Sequence, residues 1–290
     1  MNLLVTNTHH IQAYAIIRAL RPCSDKIVVD MYGENALKAR FAHAASSRLV
    51  DKRYYIPSPV DDWQAGNIQR ENTEREEAYI QAVMRICEKE QIDTIFPSFD
   101  AHVYVFSKNK ERFARMGVII PVPDYETVIV AMDKYLTVKA GQKVGFPCPR
   151  TCLPEGDKDL QQFKQDWEFP LIIRPRFSSG AQGIEVAKDF TDLVEKIHRV
   201  QGRWGAPMIQ EYIPGKDRTA NSFRVVIDKD GELITCFCST DIRTVVRLRR
   251  GWVSAFELEA PGPYLAHAVR LLREVGWWGG ASVSSKLDPR

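Results

Sequence analysis

The residues best suited to chemistry fall in one stretch of this 290-residue chain, Phe169-Pro-Leu-Ile-Ile-Arg-Pro-Arg-Phe-Ser-Ser-Gly-Ala-Gln-Gly183. An apolar run held between prolines reads as a buried strand. It delivers Arg174, a permanent cation whose five donors suit phosphate oxygens. The loop that follows, residues 177–183, carries Ser178, Ser179, Gly180 and Gly183. Such small residues let backbone N–H groups approach a phosphate without a side chain in the way. Taken alone, the same loop reads equally well as a hairpin with a polar tip. It lacks Gly-x-x-x-x-Gly-Lys-Ser/Thr and is therefore not a P-loop.

A second cluster, Arg243-Thr-Val-Val-Arg-Leu-Arg-Arg-Gly-Trp252, places four arginines within eight residues. On a strand Arg247 and Arg249 share one face and suit an anionic substrate or an acyl phosphate. The competing reading is a solvated loop with its charges outward. His9 and His10 follow the first apolar run and either face a ligand there or are loop histidines without function. The six cysteines include the pairs Cys148/Cys152 and Cys236/Cys238. Their spacings are not those of zinc knuckles, so buried free thiols are the better reading.

These residues need elements to hold them. Residues 3–6, 26–30 and 93–97 read as short strands, and 11–20 and 71–91 as amphipathic helices, a βα rhythm that implies a doubly wound parallel sheet. Asn7-Thr8-His9-His10 occupies the first turn without a glycine, which argues against dinucleotide binding. Further on, 118–123 reads as a strand and Asp124 as the N-cap of a helix through Met132, continued helically over 133–144. Strands at 168–175, 184–187 and 207–213 flank a helix at 192–200. Residues 224–227 and 232–238 form a hairpin around Asp228-Lys-Asp-Gly231. A helix at 263–275 and a strand at 281–287 follow. The net charge of +3 provides no field for nucleic acid or an anionic membrane. No apolar run approaches the ~20 residues of a membrane span. A cytoplasmic protein is the expectation.

Asp133-Lys134 opens a helix that ends at Gly145-Phe-Pro-Cys-Pro-Arg-Thr151, and Met208-Ile-Gln-Glu-Tyr-Ile-Pro-Gly215 lies downstream of Arg174. In this order and spacing the three segments resemble the ATP-grasp superfamily. The Ile-Ile-Arg-Pro wording and the preceding α/β domain most resemble the synthetase units of the carbamoyl-phosphate synthase large subunit. The resemblance covers essentially the whole chain. It implies that Lys134 and Arg174 contact the phosphates of ATP from two sides, and that residues 177–183 form a flap over them. It makes Gln210, Glu211, Tyr212 and Ile213 the hinge, with Glu211 and the neighbouring backbone facing the adenine amine. Asp217 or Asn221 would hold the ribose hydroxyls. Relatives bind Mg2+ through carboxylates and an amide on their last strands. The first such place falls near Ser284, and no Glu- and Asn-bearing strand follows before Arg290. No metal ligand is therefore assigned.

The expected architecture is an α/β pre-ATP-grasp domain at 1–115, followed by an α+β ATP-grasp domain. Its connecting helix and flap subdomain occupy 116–206, and its C-terminal subdomain occupies 207–290. The expected chemistry is ATP-dependent ligation of a small-molecule carboxylate to an amine or ammonia through an acyl phosphate. The alternative is a non-catalytic nucleotide-binding protein that has lost its magnesium site. Nucleic acid and membrane are not expected partners, and a homodimer stays open.

Overall fold

The computed structural model describes residues 1–32, 42–59, 73–178, 181–215, 220–244 and 253–290. The chain forms two compact units, Met1–Val128 and Ile129–Arg290.

In the first unit, β1 (Asn2–Val5), β2 (Lys26–Tyr32), β3 (Lys52–Ile56) and β4 (Thr94–Phe96) make a parallel sheet in the order β3-β2-β1-β4. Leu3, Leu4, Val5, Ile27, Val28 and Val29 are all fully buried, the signature of strands covered on both faces. Helices α1 (Ile11–Leu20), α2 (Thr73–Glu90), α3 (Asp100–Lys108) and α4 (Lys110–Ala114) are among the described elements of this unit, with Ala13, Ile17, Tyr79, Ile80 and Val83 in its core. The charged, exposed Lys52-Arg-Tyr-Tyr-Ile gave no apolar signal for β3. The strand expected at 118–123 contributes only a parallel bridge from Ile119 to Thr94. No helix among the described residues is long and apolar enough to cross a membrane.

The carboxyl edge of this sheet holds a buried polar network. Asp30 Oδ1 accepts from Asn7 N (2.5 Å), and Oδ2 accepts from the hydroxyls of Tyr79 (2.9 Å) and Tyr32 (3.3 Å). Burial nevertheless pushes the Asp30 carboxyl up to about 7. The Tyr32 hydroxyl also meets His102 Nε2, and burial pulls His102 down to about 3. The two shifts act on stability with opposite signs. The Asp30 contribution is complete below pH 3.8 and is lost as pH rises through about 7. The His102 contribution is complete above pH 6.5 and is lost as pH falls towards about 3. Where the windows overlap each slope is roughly 1.4 kcal/mol per pH unit, so they largely cancel. In denaturant titrations the His102→Gln variant should therefore lose stability relative to wild type by about 1 kcal/mol per unit as pH rises from about 4.5 to 6.5. Parallel profiles for the two proteins would show that these groups do not titrate as their burial dictates.

The second unit begins inside α5 (Tyr125–Met132). The helix does not run on through residue 133 as the sequence suggested. Asp133 adopts an extended conformation and caps α6 (Lys134–Lys143), accepting from the backbone of Tyr135 and Leu136. The Asp124 side chain, expected to cap α5, accepts from Lys110 Nζ at 2.7 Å.

A four-stranded antiparallel sheet then joins β5 (Thr151–Cys152), β6 (Leu171–Pro175), β7 (Glu185–Ala187) and β8 (Pro207–Glu211) in the order β5-β8-β6-β7. Helix α7 (Asp157–Asp166) follows β5, and α8 (Phe190–Trp204) packs on β6, β7 and β8. Leu193, Ile197, Val200 and Trp204 recur at helical spacing and are buried, which fixes the covered stripe of α8.

The third sheet has the order β11-β10-β9-β12, from β9 (Ala220–Ile227), β10 (Leu233–Thr244), β11 (Val253–Glu259) and β12 (Gly279–Lys286). The hairpin at 228–231 is present: Asp228 Oδ1 accepts from Asp230 N and Glu232 N, and Gly231 has a φ of +83°. Helix α9 (Tyr264–Glu274) packs Leu265, Ala268, Val269 and Leu272 against Phe223, Val225, Ile227 and Cys238. Cys87 and Cys238 are buried free thiols, whereas Cys23 is exposed.

Candidate functional site

The arginine-bearing strand has the geometry that its alternation implies. Leu171 and Ile173 are fully buried; Ile172 and Arg174 therefore lie on the other face of β6. Register places Gln210 opposite Ile172 and Met208 opposite Arg174, so Arg174 and Gln210 share that face. Arg174 Nε is buried without a hydrogen-bond partner, and the side chain makes no ion pair with a described residue. Burial alone pulls its pKa down. An unpartnered buried guanidinium nitrogen is costly, and an anion placed against it would recover that cost.

Arg176, two residues on, has the opposite fate. Its Nε donates to both Asp133 carboxylate oxygens (3.2 and 3.0 Å), and its Nη2 also reaches Oδ2. Asp133 is 1% exposed. One carboxylate therefore caps α6 and neutralises Arg176. Lys134, the first residue of that helix, donates its amide to Arg176 O (3.0 Å) and its ammonium to Ser178 O. The structure thus brings Lys134 onto the loop that leaves β6.

Of the loop residues, Ser178 and Gly183 are described; Ser179 and Gly180 lie outside the described residues. Gly183 has a φ of +71°, and a Cβ there would stand 2.6 Å from Pro175 Cγ and 2.7 Å from Trp204 Nε1. Glycine is required here by packing and backbone conformation together.

The expected hinge splits by parity. Gln210 is buried and donates to Thr151 Oγ1 (2.9 Å). Glu211 turns the other way, its carboxylate accepting from Arg150 N and from Arg290 Nη2, both at 2.7 Å. Lys286 Nζ donates to Ile213 O (2.6 Å) and stands 5.4 Å from the centre of the Tyr212 ring. Asn221 Oδ1 accepts from Thr240 (2.8 Å), which leaves its amide N–H groups to donate. Asp217, Arg247 and Arg249 lie outside the described residues.

The outer face of the third sheet carries residues that the sequence did not single out. Arg224 donates to Ser239 Oγ (2.8 Å) and lies over Phe237 and Phe256, 5.5 and 5.9 Å from their ring centres. Asp241 has a buried, unpartnered Oδ1, and burial raises its pKa. Ser282, Ser284 and Lys286 alternate as the exposed residues of β12. Hydroxyls stand where a hard divalent cation asks for carboxylate oxygens. Among the described residues no group of three or more His, Cys, Asp or Glu is placed to hold a metal. The described donors do not fit magnesium.

A family model described as the ATP-grasp domain matches residues 131–283, and one described as the PylC-like N-terminal domain matches residues 72–121. The chain is 28% identical over 111 residues to the carbamoyl phosphate synthase large chain of Pseudomonas putida, covering 37% of this chain and 10% of that one. It is 27% identical over 90 residues to the D-alanine–D-alanine ligase of Stutzerimonas stutzeri, covering 31% and 29%. The match therefore spans well under two thirds of either relative. Among solved structures, a biotin carboxylase–ATP complex from Campylobacter jejuni superposes with a TM-score of 0.72 at 16% identity, covering 99% of this chain and 62% of that one.

Proposed function

Because this chain belongs to the ATP-grasp family, we propose that its second unit binds ATP and uses it to activate a carboxylate for attack by an amine. The observation that carries the reading is Arg174, half-buried on the Gln210 face of β6 with a buried Nε that no described residue pairs. Lys134 reaches the same loop from the α6 side. In this reading Arg174 and Lys134 hold the triphosphate, residues 177–183 close over it, and residues 210–213 receive the base. Asp217 or Asn221 takes the ribose. Arg247 and Arg249 face the acyl phosphate.

The reaction is two displacements. A substrate carboxylate oxygen attacks the γ-phosphorus and ADP leaves. The amine then attacks the acyl carbon, phosphate leaves and the amine gives up a proton. The protein contributes position and charge rather than a nucleophile. The ligase among the relatives supports this chemistry.

The serines at 282 and 284 support a second reading, a protein that binds nucleotide without turning it over. Calorimetric titration with ATP, followed by ADP release across a panel of carboxylate–amine pairs with magnesium, separates the two. Binding with ADP release supports the ligase, and binding without release supports the second reading. No binding sinks both.

A further inference from the structure

Helix α9 covers one face of the third sheet, with Cys236 and Cys238 of β10 packed in that core. Alternation along β10 therefore turns Phe237, Ser239 and Asp241 to the opposite face. Register sets Arg224 of β9 beside Phe237, and Phe256 and Leu258 of β11 beside Asp241 and Ser239. Phe237, Phe256 and Leu258 are all exposed, and large apolar groups gathered on an open face mark a binding surface.

Two opposite charges stand among these side chains without neutralising each other. Arg224 is held in place: it donates to Ser239 Oγ at 2.8 Å, and its guanidinium lies 5.5 and 5.9 Å from the centres of the Phe237 and Phe256 rings. A guanidinium has five N–H donors, and the hydroxyl takes one. The Arg224 charge acts on the Asp241 carboxyl, yet Asp241 Oδ1 is buried with no hydrogen-bond partner. The remaining donors of Arg224 suit an anion, and the unpaired carboxylate of Asp241 suits a cation.

The spacing limits what could serve both. Ser239, which fixes the guanidinium, and Asp241 are alternate residues of one strand and so ~7 Å apart. Two hydrogen bonds of ~2.9 Å and the single carbon between the carboxylate and ammonium of an α-amino acid span that distance. A side chain on the same carbon would lie against Phe256 and Leu258.

We propose that this face of the third sheet is a site for an α-amino acid with an apolar side chain, its carboxylate on Arg224 and its ammonium on Asp241. The site itself stands on these contacts, whereas the amino acid's role as the amine substrate rests on the ligase reading above. A guanidinium lowers the basicity of the carboxylate that it holds, which leaves the amine as the end to react.

The probes are L-phenylalanine, 3-phenylpropionate, which lacks the amine, and 2-phenylethylamine, which lacks the carboxylate. Calorimetric titrations would use the full chain and its variants Arg224→Gln and Asp241→Asn. Arg224 is exposed and asparagine keeps the shape of aspartate, so both variants should fold. Wild type should bind L-phenylalanine at least about tenfold more tightly than either truncated probe, the size of one charge-assisted contact. Asp241→Asn should bring the preference over 3-phenylpropionate within about threefold and keep the preference over 2-phenylethylamine, and Arg224→Gln should do the reverse. L-Phenylalanine is a neutral zwitterion, so a change in net charge does not account for its weaker binding to both variants.

Equal weakening of all three probes in either variant assigns that residue to structure and overturns the proposal. A wild type that binds none of them overturns it as well. Self-association in that case, lost in Phe256→Ser, gives the face to a second copy of the chain. ATP titrated into the same samples tests the nucleotide reading separately. Failure to bind ATP, with the amino-acid pattern intact, overturns that reading and the substrate role while the site stands.

Discussion

Replacing Arg174 with alanine should lower ATP affinity by between about tenfold and 150-fold and leave the ligand-free protein at least as stable as wild type. A hydrogen bond to a charged group is worth about 1.5–3 kcal/mol, and each 1.4 kcal/mol is about a tenfold change in affinity. Most arginine truncations cost stability because they strand a partner. Arg174 strands none: it makes no ion pair with a described residue, and its Nε is buried without a partner. Its removal therefore relieves a desolvation cost in the free state. Lost packing of its aliphatic stem offsets part of that gain. Titration calorimetry gives the affinity and urea unfolding gives the stability. A variant that binds as wild type does would take Arg174 out of the site. A variant that loses more than about 2 kcal/mol in the absence of nucleotide would make it a structural residue instead.

Replacing Asp133 with alanine should act in the opposite way, costing about 3–4 kcal/mol of stability before any ligand is considered. The side chain does two things. It accepts from Tyr135 N at 2.9 Å and Leu136 N at 3.4 Å at the start of α6, and loss of such a cap costs about 0.5–2 kcal/mol. It also pairs with Arg176 while itself 1% exposed, its partner being 27% exposed. Breaking a buried pair costs about 3–5 kcal/mol, and the partial exposure of Arg176 reduces that figure because water can solvate the freed cation. Asp133→Asn keeps a capping oxygen and loses the charge, so it should fall between alanine and wild type. Equal losses in the two variants would assign the whole effect to the ion pair. A loss below about 1 kcal/mol for Asp133→Ala would show that the buried contact is not formed in solution. Because Lys134 follows Asp133 directly and its amide bonds Arg176 O, weaker ATP binding should accompany the lost stability.

Much of the fold was legible in the chain because local signals and burial agree. Leu3-Leu4-Val5 and Ile27-Val28-Val29 are apolar runs buried on both faces, and only a covered parallel strand satisfies such a pattern. The turn at 228–231 follows from Asp228 accepting backbone N–H groups around a glycine at positive φ. The unforeseen elements carry no such signal. Lys52–Ile56 is charged and half solvated, and Phe256 and Leu258 of β11 are exposed. Edge strands need backbone pairing more than burial, and composition records burial.

The site divides along the same line. Residue type and spacing alone determined that this chain carries a cation-bearing strand followed by a small-residue loop, and a helix opening with Asp133-Lys134. Those are properties of covalent order and side-chain chemistry. What the order could not decide is which cation is free. Arg174 and Arg176 flank one proline and are chemically identical. Only the packing of α6 against the end of β6 brings Asp133 to Arg176, where it spends that charge, while the Nε of Arg174 stays buried without a hydrogen-bond partner. The same holds at the hinge, where Glu211 and Gln210 are neighbours in sequence. Alternation along β8 sends one to Arg150 and Arg290 and the other to Thr151. Lys286, 73 residues beyond Ile213, reaches that hinge only through the register of β12 on β9. An electrostatic partnership depends on separation in space, which falls within a few ångströms only after the strands are paired. No local pattern of residues encodes it.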